Sequence, residues 1–178
     1  MSVLVLVAHP NMTESRANAA LRDGATRAEG VTVRELYALY PDCVIDVKAE
    51  QAAVEPHDVI VFQHPLYWYS APPLVKQWLD EVLEMGWAYD VFSPDPMALT
   101  GKRMASAVTT GAPASEYEPE GWNGRSVKDF LLPFAATAQF CGMKYEDPFV
   151  FYDTFSADDQ RLAATTDAYA AWLGSLRG

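Results

Sequence analysis

Gln63-His64-Pro65-Leu66-Tyr67-Trp68-Tyr69-Ser70-Ala71-Pro72-Pro73 decides how this chain is read. Before it runs Asp58-Val59-Ile60-Val61-Phe62, short, apolar and rich in β-branched residues, the pattern of a strand buried on both faces. After it, Leu74 to Leu83 carries apolar residues at helical spacing, and Pro72 and Pro73 suit a first helical turn, where a missing N–H costs least. Three consecutive aromatics therefore sit on a loop between a buried strand and a helix. In open α/β sheets, ligands bind outside the carboxyl ends of the strands, so a planar cofactor is the natural occupant of such a loop.

The rest of the chain repeats the alternation. Ser2 to Ala8 is an unbroken apolar run, the mark of a central parallel strand, and Ser15 is a good N-cap for a helix reaching about Arg27. Val31 to Leu36 reads as a second strand near an edge. Val44-Ile45 reads as extended, and Lys48 to Val54 as a short acidic helix. Gly86 to Gly101 is a long irregular stretch with Trp87, Tyr89 and Phe92, and loops of that length and composition usually serve function or cover something. Arg103 to Val108 reads as a fourth strand. Val127 to Phe140 reads as a helix that Pro133 kinks or starts, and Gly142 closes it. Lys144 to Phe151 is a last strand disturbed by Pro148, and Ser156 is expected to cap a final helix with an apolar face of Leu162, Tyr169, Trp172, Leu173 and Leu176. The expectation is a single α/β domain over residues 1–178: a three-layer, flavodoxin-like sandwich with a five-stranded parallel sheet in the order 2-1-3-4-5.

Composition narrows the classes. The chain has 178 residues, half of them hydrophobic and 12% aromatic, which is a globular composition. A net charge of −11 argues against a nucleic-acid partner. No run approaches the roughly 18 apolar residues of a membrane span. No leader precedes the first strand, and the two distant cysteines, Cys43 and Cys141, form no disulfide framework, so a cytoplasmic protein is expected.

Three loops fall at the carboxyl ends of the first, third and fourth strands. The first carries His9 and Ser15-Arg16-Ala17-Asn18: a hydroxyl, a cation and the free N–H groups of a helix start, which together suit a phosphate. The second, Pro65-Leu66-Tyr67-Trp68-Tyr69, offers aromatic surface and backbone N–H groups to a flat ring. The third, Thr109-Thr110-Gly111-Ala112, offers hydroxyls and a glycine where the backbone can approach a ligand closely. Singly, each has a plain structural reading: a backbone-satisfied histidine, a helix cap with a solvated arginine, packed aromatics, a strand end. Jointly, on one sheet edge, they describe a flavin mononucleotide site. Neither GxGxxG nor GxxxxGK[ST] is present, so a Rossmann nicotinamide fold or a P-loop is not indicated.

VLVLVAHP, SRAN, HPLYWYSAPPLVKQWLDEV and TTGA resemble the NAD(P)H:quinone oxidoreductases with a flavodoxin-like fold, over nearly the whole chain. The resemblance is nearest to the short members, which include ancillary subunits of glutathione-gated potassium efflux systems. It implies a tightly bound flavin, a homodimer and an active site shared across the dimer interface. By motif, His9, Ser15, Arg16, Ala17 and Asn18 meet the phosphate and ribityl end, Leu66 to Tyr69 lie along the isoalloxazine, and Thr109 to Ala112 along its other edge. Ala112, followed by Pro113, stands where the family often has a second glycine. Tyr117 matches a tyrosine that longer members use, with a histidine, to stabilise reduced flavin, but Asn123 stands at the histidine's place and cannot take up a proton. The implied activity is ping-pong hydride transfer from NADH or NADPH through FMN to a quinone or similar flat acceptor, with Trp87 and Phe92 as further walls of the slot. FMN is favoured over FAD because the chain shows no adenine-binding extension. Two other readings stand beside it. One is a redox-responsive regulatory subunit of a potassium efflux transporter, peripheral at the inner face of the membrane. The other is a one-electron flavodoxin, disfavoured because the first loop lacks a T-x-T-G-x-T pattern.

Overall fold

A computed structural model describes residues 1–178. The apolar runs form the centre of one parallel sheet: β1 (Val3–Val7), β2 (Val31–Glu35), β3 (Val59–Pro65) and β4 (Arg103–Thr109), in the order β2-β1-β3-β4. Every residue of β1 and β3 is buried, as strands covered on both faces must be, whereas β2 at the edge is only partly so.

Alternation along the strands divides the core in two. Leu4, Leu6, Ile60, Phe62 and Met104 point to one face, under α4 (Pro73–Val82) and α6 (Leu132–Phe140). Val3, Val5, Val7, Val59, Val61, Ala105 and Ala107 point to the other, under α1 (Arg16–Arg27) and α7 (Asp159–Ser175). The last two helices pack closely because Gly24 carries no side chain; a Cβ there would fall 2.6 Å from the Thr166 carbonyl oxygen. The remaining helices, α2 (Leu36–Leu39), α3 (Val47–Val54) and α5 (Val127–Phe130), are short.

Several expectations are revised. The fifth strand is two strands in line, β5 (Lys144–Tyr145) and β6 (Phe149–Phe151), both paired with β4, so the sheet has six strands. Two residues separate Met104 from Ala107 on β4, but three separate their partners Tyr145 and Phe149. Pro148 lies in that bulge, where no ladder donor is required. The helix expected over 127–140 is divided into α5 and α6, with Pro133 in the first turn of α6. The cap of α7 is Asp158, whose carboxylate accepts from the Arg161 N–H at 2.8 Å; Ser156 belongs to a 3-10 turn (Thr154–Ser156) and bonds Asp153 instead. Val44-Ile45 forms no strand, although Ile45 is buried.

Candidate functional site

Parallel topology places the segments after β1, β3 and β4 at one edge of the sheet. The pairing of Pro65 with Thr109 brings the second and third loops into register, and the Leu66 N–H donates to the Thr109 carbonyl at 2.8 Å.

The second loop is a tight turn. Tyr67 and Ser70 exchange both backbone hydrogen bonds, at 2.9 and 3.0 Å. The two residues between them, Trp68 (φ 48°) and Tyr69 (φ 63°), are both left-handed. Such turns normally carry Asn-Gly, because a side chain in that region costs roughly 1–2 kcal/mol per residue. Two aromatics held there at once, Trp68 93% exposed, mark a turn shaped for something other than stability. The N–H groups of Trp68 and Tyr69 donate to no backbone carbonyl. Tyr69 packs on Phe130 with ring centroids 4.9 Å apart.

The first loop starts at His9, whose Nδ1 accepts from the Asn11 N–H at 3.1 Å; its Nε2 faces the Tyr67 hydroxyl at 3.2 Å. Burial lowers the imidazole pKa, so the ring is neutral and links the first two loops as a hydrogen-bonding group. Ser15 caps α1 by accepting from the Asn18 N–H at 3.2 Å. The Arg16 guanidinium donates to the Ala157 carbonyl at 3.1 Å and pairs with Asp159 at 2.5 Å. The phosphate-like features of this loop are therefore the start of α1 and Ser15; the arginine's charge is already engaged. Ala17 is buried.

Asn18 is a joint beneath the site. Its side chain is buried and donates to the Thr109 hydroxyl at 3.0 Å, while its carbonyl accepts from the Gln63 side chain at 3.0 Å. The Asn18 and Gln63 side-chain oxygens have no partner in the chain.

Thr109 and Thr110 are likewise buried, and the Thr110 hydroxyl donates to the Ala112 carbonyl at 2.8 Å. Both hydroxyls thus shape the loop from inside, contrary to the expectation that they face a ligand. The third loop leaves free the backbone N–H of Gly111 and of Ala112, neither of which donates to a backbone carbonyl. Ala112 has no positive φ, so its side chain is accommodated without strain. Tyr117 is buried beside Tyr152 and Phe130, at ring centroid distances of 5.7 and 6.3 Å. Burial raises its pKa, partly offset by the Thr110 hydroxyl, so the phenol is an O–H donor at neutral pH. The Asn123 N–H donates to the Glu116 carbonyl at 3.1 Å, which brings Asn123 back to the Tyr117 segment.

Trp87 is not a wall of this site. Its indole N–H donates to Glu55 at 3.0 Å, at the end of α3 where the chain turns into β3, and hence at the opposite edge of the sheet. The segment 86–101 joins the end of α4 to the start of β4, which fixes both its ends there; Phe92 is exposed on it. Sequence reasoning missed a fourth segment at the carboxyl edge, Tyr152 to Ala157, which bonds to the third loop through Asp153 N–H to Ala112 O and Thr154 N–H to Thr110 O, both 3.0 Å. Its only signal was its place after the last strand.

N–H groups without backbone acceptors on two loops, an aromatic turn on one of them and a helix start beside them match the needs of a flat ring carrying a phosphate tail. Protein comparisons agree. Residues 1–173 match the family model described as flavodoxin-like fold. General stress protein 14 of Bacillus subtilis is 48% identical over 173 residues, 97% of each chain. The glutathione-regulated potassium-efflux system ancillary protein KefG of Yersinia enterocolitica is 44% identical over 97% of this chain and 92% of its own. Among solved structures, general stress protein 14 of Treponema denticola in complex with FMN has a TM-score of 0.91 at 44% identity, covering 99% of both chains. An NADPH-quinone reductase of P. pentosaceus has a TM-score of 0.85 at 26% identity, covering 97% of this chain and 98% of its own. With its fold, its loops and these relatives together, the chain belongs to the flavodoxin-like family that holds the quinone reductases and the KefF and KefG ancillary proteins.

Proposed function

We propose that the chain is an FMN-dependent NAD(P)H:quinone oxidoreductase working by a ping-pong cycle. The observation that carries this reading is the turn at Trp68-Tyr69: a strained aromatic turn with free N–H groups, set against the free N–H groups of Gly111 and Ala112. The FMN complex of a relative at 44% identity supports the cofactor, and the NADPH-quinone reductase neighbour supports the reaction. FMN supplies hydride acceptance from a reduced nicotinamide and hydride donation to a quinone, in two separate half-reactions.

The protein's share is placement and charge. The start of α1 holds the phosphate end through the backbone N–H groups of Arg16 and Ala17, which donate to no backbone carbonyl, with the Ser15 hydroxyl and the helix dipole, while Asn18 braces the loop from beneath. His9, fixed as a neutral ring, sits between that end and Tyr67. Pro65, Leu66, Tyr67, Trp68 and Tyr69 form one side of the ring slot. Thr109, Thr110, Gly111 and Ala112 form the other, and the N–H groups of Gly111 and Ala112, which donate to no backbone carbonyl, stabilise negative charge gained on reduction. Tyr117, kept protonated by burial, donates a hydrogen bond at the rim of the slot, and Asn123 is a second, non-titrating donor near it. Aromatic walls favour flat donors and acceptors and exclude water. One domain, assembled as a homodimer, carries the site, and NADH and NADPH are both candidates as donor.

Steady-state oxidation of NADH and NADPH by the FMN-loaded protein, with a quinone varied as second substrate, tests the reading. Parallel double-reciprocal lines and a lower turnover in Tyr117→Phe are expected; lines that intersect, or no quinone-dependent turnover with either nicotinamide, would contradict it.

A second reading rests on the 44% identity to KefG: the chain acts as an ancillary subunit of a potassium efflux system. No helix is long and apolar enough to cross a membrane, so attachment would run through a transporter's own exposed domain. Co-purification with such a transporter from membranes, lost on washing away the protein, distinguishes it.

A further inference from the structure

Phe155 is 92% exposed, yet the backbone on either side of it is tied down. Its segment is stapled to the third loop by the Asp153 and Thr154 N–H groups, both at 3.0 Å. Two residues on, the Ala157 carbonyl accepts from Arg16 of the first loop at 3.1 Å. Arg161 closes the segment from behind, donating to the Tyr152 carbonyl at 2.7 Å and the Asp153 carbonyl at 3.2 Å. Asp153 at its centre has φ 54°, a left-handed conformation that is sparsely populated for a residue with a side chain. The phenyl ring thus lies between the first and third loops, on a segment fixed by these hydrogen bonds.

The ring also explains Gly111. A Cβ at position 111 would fall 2.4 Å from Cε2 of Phe155. Gly111 does not have a positive φ, so the backbone itself does not demand glycine there. The missing side chain makes room for the Phe155 ring, next to the Gly111 and Ala112 N–H groups that donate to no backbone carbonyl. A large apolar ring left in water gives the isolated chain nothing, because the hydrophobic gain comes only when the ring is covered.

We infer that Phe155 is a positioning residue for the flavin: its ring is a fourth, apolar wall of the cofactor site, covered when FMN occupies the space between the first and third loops. This rests on the flavin reading and adds a contact outside the three loops that carry it. The occupant follows from continuity, since Asp153 and Thr154, adjoining Phe155, are tied by backbone hydrogen bonds to the loop whose Gly111 and Ala112 N–H groups have no backbone acceptor.

Titration of the apoprotein with FMN, followed by quenching of flavin fluorescence, tests this in wild type, Phe155→Ala and Phe155→Tyr. Phe155→Ala is expected to weaken FMN by about tenfold, the factor that corresponds to about 1.4 kcal/mol. Phe155→Tyr, which keeps the ring, is expected to bind like wild type. Sedimentation of the same proteins without flavin reads the competing explanation. If Phe155→Ala leaves the FMN affinity unchanged, whether or not it alters the oligomeric state, the inference is overturned; a changed oligomeric state would then assign the ring to contact between copies of the chain. If wild type itself fails to bind FMN, the flavin reading fails first. Because the ring is exposed, its removal should not lower the melting temperature of the apoprotein, and a large drop would make Phe155 structural and likewise overturn the inference.

Discussion

Single residues show where stability has been set against use. Trp68 and Tyr69 occupy conformations that Asn and Gly adopt easily, and neither is buried by the chain itself. The double substitution Trp68→Asn with Tyr69→Gly should therefore raise the unfolding free energy of the apoprotein by about 1 kcal/mol, measured in urea, while weakening FMN binding. A loss of stability would show that the aromatics hold the turn for the fold. His64 illustrates the opposite case. It adjoins the second loop but is a strand residue facing the core, fully buried, stacked on Phe134 at 5.5 Å and donating from Nδ1 to the Pro65 carbonyl at 2.9 Å. Burial depresses its pKa from 6.5 to about 4. The folded protein therefore keeps the ring neutral while the unfolded chain takes up a proton below pH 6.5, so stability falls as pH drops from 6.5 towards 4. The slope should approach about 1.4 kcal/mol per pH unit from this one group. Urea unfolding of wild type and His64→Phe between about pH 7.5 and 4.5 checks this; equal slopes in the two would contradict it.

At the scale of elements, sequence pattern goes furthest where burial is two-sided and least far where it depends on partners distant in the chain. The all-apolar runs at Val3–Val7 and Val59–Phe62 could only be central strands, and the carboxyl ends of the strands locate the three loops from pattern alone. Local rules decide less well between Ser156 and Asp158 as the cap of α7, because both have suitable side chains and only the chain path selects one. Pro148 signals a disturbed strand but not the bulge that lets both halves pair with β4. The helix α3 misleads most: it reads as a short acidic helix, yet its Glu50 is fully buried. Its carboxylate accepts from Arg34 of β2, from the Tyr40 hydroxyl at 2.6 Å, and from the Trp78 indole of α4 at 2.9 Å. Burial, then Glu50, push the Tyr40 phenol up to about 12. Four segments meet on one carboxylate, and no periodicity within α3 could announce it. Glu50→Ala leaves Arg34 without its acid partner and should cost about 3–5 kcal/mol, whereas Glu50→Gln, which keeps the shape, should cost less. Calorimetric or urea unfolding of both variants gives the comparison, and near-equal stability to wild type in Glu50→Ala would refute the role.

For the whole molecule, the two edges of the sheet have different characters. Loops with strained turns and N–H groups lacking backbone acceptors gather at the carboxyl edge, while Trp87 and the 86–101 segment serve the amino edge. The division follows from parallel topology, and it is why site position was legible from element order while the site's detailed surface was not. Inward use of the Thr109 and Thr110 hydroxyls and of Asn18 depends on contacts between loops far apart in sequence. If the carboxyl edge takes FMN, the cofactor binds only the folded chain and must stabilise it. At a free concentration of one hundred times its Kd, FMN should add about 2.7 kcal/mol, seen as a rise in melting temperature that riboflavin, lacking the phosphate held at α1, reproduces poorly.

The most direct measurement is anaerobic stopped-flow of the FMN-loaded protein, mixed with NADPH or NADH and then with a quinone. Complete, rapid bleaching of the flavin absorbance by one nicotinamide, with oxidised nicotinamide released before the quinone restores the colour, is the expected result. Bound flavin that neither nicotinamide reduces would contradict the oxidoreductase reading and leave the KefG-like ancillary role as the stronger one.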